Sequence, residues 1–92
     1  MKDLYLEWDD HKSIENQRKH GVSFEEAHTV FYDDHAREFF DPDHSEDEDR
    51  FIVLGVSVHL RVLVVCHGHR RGKSIRIISA RKADKREEKD YW

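Results

Sequence analysis

Ser74-Ile75-Arg76-Ile77-Ile78-Ser79-Ala80-Arg81 is the run whose reading decides the fold of this chain. Its branched apolar side chains suit a pleated strand. Strict alternation along such a strand puts Ile75, Ile77, Ser79 and Arg81 on one face and Arg76, Ile78 and Ala80 on the other. Burial of the isoleucines would fix the backbone and hold Ser79 and Arg81 on a rigid mount. An arginine in such a place most often pairs with a carboxylate at the sheet rim, and that is the competing reading for each one here.

Upstream of this strand, Phe51 to Val58 and Arg61 to His67 read as two further strands joined by the short connection Ser57-Val58-His59-Leu60. Val62 to Val65 is apolar on both faces, which predicts a central position in an antiparallel sheet. His67-Gly68-His69-Arg70-Arg71-Gly72-Lys73 then forms the hairpin into the opening run. Ala36 to Phe40 reads as a short strand. It leads into the acidic stretch Asp41 to Asp49, a solvated loop that reads first as a mobile linker without chemistry, with Glu48 its functional candidate otherwise.

At the amino-terminal side, Leu4, Leu6 and Trp8 alternate with polar residues as in a first strand. Asp9 and Asp10 offer N-caps to a polar helix that Gly21 closes. Lys12, Asn16, Lys19 and His20 recur on it at spacings of three and four, predicting a shared, solvent-facing basic surface. Ser23-Phe24-Glu25-Glu26 is a capping-box sequence for a second helix, with Phe24, Ala27, Val30 and Phe31 inward and Glu25, Glu26 and Thr29 outward. Asp84-Lys85-Arg86-Glu87 caps a carboxy-terminal helix. The pattern is α+β: a small antiparallel sheet of about four strands, two amino-terminal helices and one carboxy-terminal helix in a single domain, residues 1–92.

Charge is divided along the chain. Residues 1–60 carry 6 Lys and Arg against 16 Asp and Glu, whereas residues 61–92 carry 10 against 4. The last third therefore either meets a polyanion or acidic partner, or is compensated internally by the first part. The single cysteine, Cys66, excludes an intrachain disulfide and reads as a small buried hydrophobe in a reducing compartment. No apolar run reaches membrane-spanning length, and Met1-Lys2-Asp3-Leu4 lacks the apolar block of a signal peptide. These features predict a soluble cytoplasmic protein with no membrane contact.

Eight histidines raise the question of a metal, and Cys66-His67-Gly68-His69 is the densest cluster. On a strand Cys66 points away from His67, and two hairpin histidines supply too few ligands for a closed tetrahedral site. The expectation is solvent-exposed histidines, no metal and no cofactor. The remaining chemistry is cationic: Lys12 and His20 on the first helix, Arg61 before the central strand, and Arg76 and Arg81 on the late strand. Guanidinium groups converging on one phosphorus would stabilise its transition-state charge. With His20 or Lys12 moving protons and a ribose 2′-hydroxyl attacking, that set suffices for metal-free RNA cleavage. In this scheme Arg61 and Arg81 form the clamp, Arg76 positions substrate and Ser79 orients it. The alternative is a non-catalytic binding module whose basic third docks an acidic or extended segment of a partner protein.

Several stretches together resemble one family. Arg18-Lys19-His20-Gly21-Val22-Ser23-Phe24-Glu25-Glu26-Ala27, Asp49-Arg50-Phe51, Arg61-Val62-Leu63-Val64-Val65 and Ile75-Arg76-Ile77-Ile78-Ser79-Ala80-Arg81 are similar to the BrnT toxins of bacterial type II toxin-antitoxin pairs, over about Trp8 to Tyr91. The resemblance implies a RelE-like fold and a ribonuclease activity that arrests translation. It also implies an inhibitory BrnA-like antitoxin, through which alone DNA is contacted. The family's polar positions map onto Lys12, His20, Arg61, Arg76, Ser79 and Arg81. Two positions depart from the family pattern: Leu60 stands where glycine is usual, and the His67/His69 hairpin is unusually rich in histidine.

Overall fold

Five strands form one sheet in a computed structural model that describes residues 5–44, 48–69 and 74–92. They are β1 (Tyr5–Glu7), β2 (Arg37–Phe40), β3 (Arg50–Val56), β4 (Val62–His69) and β5 (Ser74–Lys82), in the spatial order β1-β5-β4-β3-β2. The helices are α1 (Asp10–His20), α2 (Phe24–His28), which tightens into a 3₁₀ turn over Thr29–Tyr32, and α3 (Lys85–Tyr91). β4 is central, as its two-sided apolar pattern requires. No described helix is long and apolar enough to cross a membrane.

β2 through β5 pair antiparallel, but β1 joins β5 in parallel, with Tyr5 opposite Ser74 and Glu7 opposite Arg76. The sheet is therefore mixed, with a parallel edge strand beside the antiparallel body. β1 is only three residues long, so β5 beyond Arg76 has no strand on its outer side. The tip of the β4–β5 hairpin, residues 70–73, lies outside the described residues, as do residues 45–47 of the acidic stretch.

The alternation expected along the opening run is broken once. A register irregularity faces the step from Cys66 to His67, which lie opposite Ser79 and Ile77 respectively, so Ile78 is an extra residue on β5. This bulge shifts the phase of everything after it. Ile77 and Ala80, which alternation would separate, both enter the core under the helices, and Ser79 and Arg81 turn to the other face with their partners Cys66 and Val64. Cys66 is half-buried on that face rather than in the core.

The helix-side core joins Val22, Phe24, Ala27 and Val30 to Val53, Leu63, Val65, Ile77 and Ala80. Leu54, Val62 and Val64 form a second cluster on the opposite face, where Ala83 and Tyr91 of the α3 region cover them. α1 is capped by Asp9, whose carboxylate accepts from the Lys12 amide at 3.1 Å, and is closed by Gly21 at φ 72°. α3 carries a reciprocal Asp84/Glu87 capping box. At α2 only half the expected box forms. Ser23 accepts from the Glu26 amide at 3.1 Å, but the Glu26 side chain turns inward and is 5% exposed.

α1 has an unusual burial pattern. Its buried residues are Ser13 and Asn16, whereas Ile14 is exposed. Asn16 donates to the carbonyls of Val22 (2.7 Å) and Ala80 (2.8 Å) and accepts from the Ala80 amide (3.2 Å). Its amide group thus serves the open edge of β5 in place of a neighbouring strand. Ser13 Oγ accepts from the Phe24 amide at 2.9 Å and ties the same side of α1 to the start of α2.

Candidate active site

Pinning Asn16 against β5 directs the rest of the α1 polar residues outward around it. Lys12, Glu15, Asn16, Lys19 and His20 line a cavity of about 230 Å³ whose other wall is Ile78 and Ser79, the bulged segment of β5. Three of the six residues singled out in the sequence, Lys12, His20 and Ser79, thus come together from positions far apart in the chain. Lys19 joins them. Among the described residues, the side chains of Lys12, Lys19 and His20 make no ion pair. Glu15 is engaged by Arg18 at 3.6 Å. The cavity is open and carries basic side chains, and the bulged segment of β5 at the sheet edge forms its floor.

The arginines are placed differently, and the expected two-arginine clamp does not form. Arg61 lies on the helix side, where its Nε donates to Glu26 Oε2 at 2.9 Å and its Nη2 to Glu26 Oε1 and to the Gly21 carbonyl at 3.1 Å. Glu26 also accepts from Ser57 Oγ at 2.7 Å. Burial pushes this carboxyl up, but the Arg61 and Ser57 hydrogen bonds outweigh it and hold the pKa below the ordinary value. Glu26 and Thr29, expected to face solvent, instead fasten the β3–β4 turn to α2: Thr29 Oγ1 accepts from the Val58 amide at 2.9 Å. Arg61 therefore sits beside the end of α1, one residue from His20.

Arg81 is on the opposite face because of the bulge. It grips Glu87 of α3 in bidentate fashion at 2.8 and 2.7 Å, and these bonds pull the Glu87 pKa down to about 2. Arg76 is paired with Glu48 and lines a separate hollow of about 330 Å³ with Glu7, Trp8 and Asp9. All three arginines thus meet a glutamate, and two of these glutamates come from the acidic first part of the chain. Part of the charge division seen in the sequence is settled internally, by the Arg61–Glu26 and Arg76–Glu48 pairs. Asn16 was read as one more solvent-facing polar residue. The signal that could have placed it is the Ser13/Asn16 pair, three apart on a helix with no apolar stripe.

Of the two hairpin histidines, His69 is exposed as expected, whereas His67 is not. His67 is 0% exposed, packed edge-on to Phe31 with ring centroids 5.0 Å apart and stacked on Phe51 at 5.6 Å and His69 at 5.3 Å. Burial, reinforced by His69, lowers its pKa to about 4, so the ring is neutral at physiological pH.

Comparison with known proteins agrees with this architecture. The family model described as "Ribonuclease toxin, BrnT, of type II toxin-antitoxin system" matches residues 8–87. The crystal structure of the Brucella abortus ribonuclease toxin BrnT is similar in fold, with a TM-score of 0.67 and 21% sequence identity, covering 90% of this chain and 100% of that one. No curated protein matches the chain.

Proposed function

We propose, from the premise that this chain belongs to the BrnT ribonuclease toxin family of type II toxin-antitoxin systems, that it is a metal-independent endoribonuclease that arrests translation. On this reading the cavity between α1 and the β5 bulge holds the scissile phosphodiester. The observation that carries the proposal is the convergence of Lys12, Lys19, His20 and Ser79 on that cavity, the two ammonium groups making no ion pair with any described residue.

The Lys12 and Lys19 ammonium groups bind the non-bridging oxygens, and Ser79 orients the phosphate by a hydrogen bond. The substrate's 2′-hydroxyl attacks phosphorus and loses its proton to the His20 imidazole, while the bond to the 5′ oxygen breaks and that oxygen takes a proton from the Lys12 ammonium. A 2′,3′-cyclic phosphate and a 5′-hydroxyl result. Arg61 is a positioning residue: its bond to the Gly21 carbonyl fixes the end of α1 that carries His20. Arg76 and Arg81 reach RNA by exchanging Glu48 and Glu87 for phosphates flanking the cut, which places them as substrate-positioning charges. A BrnA-like antitoxin neutralises the activity, and promoter DNA is contacted only through it.

The test is RNA cleavage by purified protein in excess chelator. Lys12→Ala and His20→Ala each lower the rate about 100-fold or more with an unchanged melting temperature, and Arg61→Lys retains more activity than Arg61→Ala. Cleavage that chelator abolishes rejects metal independence. Full activity in a Lys12→Ala/His20→Ala double variant removes the cavity from the mechanism. Growth arrest on expression, relieved by co-expressing the neighbouring antitoxin frame, tests the partner.

A further inference from the structure

Glu38, His67 and His69 stand apart from the α1/β5 cavity and from every residue given a role above. Glu38 is on the edge strand β2, and the histidines are at the far end of β4. Pairing through β3 nevertheless brings them to one place, and one ligand atom from each lies within 4.8 Å of the other two. Nε2 of His67 is 3.1 Å from Glu38 Oε2, yet neither ring nitrogen of this fully buried imidazole makes a hydrogen bond with any described residue. Phe51 lies against both imidazoles, its ring 5.6 Å from that of His67 and 4.5 Å from that of His69.

A buried polar ring without a partner costs stability, and the fold keeps this one oriented toward a carboxylate. The three donors match a recurring set. Two imidazoles and one carboxylate bind zinc-class ions, with ligand atoms about 2.0–2.2 Å from the metal and a fourth position left for water. Around such an ion neighbouring donors stand roughly 3.3 Å apart, close to the separation already present between His67 and Glu38. Hard cations such as calcium and magnesium favour all-oxygen shells and suit it poorly.

We propose that Glu38, His67 and His69 form a binding site for a single divalent transition-metal ion of the zinc class. The ion ties edge strand β2 to the end of the central strand β4. Sequence reasoning counted two histidine ligands and stopped. The third ligand comes from a strand two places away in the sheet, which no local spacing reveals.

Titration of the purified full chain with Zn²⁺ alone, read by calorimetry, and with Co²⁺, read by its visible absorption, tests the site. The expected result is one ion per chain, a melting temperature raised by several degrees, and binding at least about tenfold weaker in Glu38→Gln and in His69→Ala. Both substitutions are at exposed positions, and unchanged metal-free melting temperatures identify the loss as one of ligation. A His11→Ala control binds as the wild type does. Absence of saturable binding overturns the proposal, as does an affinity indifferent to both Glu38→Gln and His69→Ala, which would assign the metal to other histidines.

Discussion

A single amide carries more of this architecture than its type suggests. Asn16 satisfies the amide and carbonyl of Ala80 and the carbonyl of Val22 in a buried setting. Asn16→Leu keeps the branched shape in a somewhat larger side chain and leaves three backbone groups unpaired, so we expect a loss of about 3 kcal/mol in urea unfolding, with faster hydrogen exchange at the Ala80 amide. Leu60 works the other way. It is 86% exposed and held at φ 61°, so it has no burial to lose and a backbone conformation that glycine adopts freely. Leu60→Gly should stabilise by roughly 0.5–1 kcal/mol by the same measurement. The resemblance pointed to glycine at this position, and the positive φ gives that expectation its physical meaning. Asn16 was not legible, because an asparagine on a polar helix looks alike whether it faces water or an open strand edge.

Local signals placed the elements well where the partner lies within a few residues. Asp9, Ser23 and Asp84 cap as read, and Gly21 closes α1. Glu26 was misplaced because its partner, Arg61, is 35 positions away and competes successfully with the nearby backbone for its carboxylate. Glu87 serves two elements at once, completing the α3 capping box and gripping Arg81 of β5. Its folded pKa, about 2, lies below the ordinary 4.5, so its contribution is complete above pH 4.5 and is lost as pH falls toward 2. Glu87→Gln should therefore destabilise at neutral pH, and its deficit relative to wild type should shrink through that window in urea unfolding followed by circular dichroism. A deficit independent of pH would show that the bond geometry, not the charge, carries the effect.

At the scale of the whole molecule, the α+β order of elements, the central β4 and the helix-side core were legible, because apolar blocks of different period announce themselves. Two features were not. β1 is too short to declare its partner, and the β5 bulge is one extra residue that reverses which side Ser79 and Arg81 serve. For that reason the division of the chosen cationic residues between two faces was not foreseen.

The anchoring of α1 on Ala80 has a temporal consequence for a chain that grows from its amino terminus. Lys12 and His20 leave the ribosome early, but the wall they face arrives about sixty residues later, and the amide that fixes their helix has nothing to grip until then. Unfinished chains therefore carry the cations without the pocket. The assembled cavity exists only once β5 has been synthesised and has docked against α1.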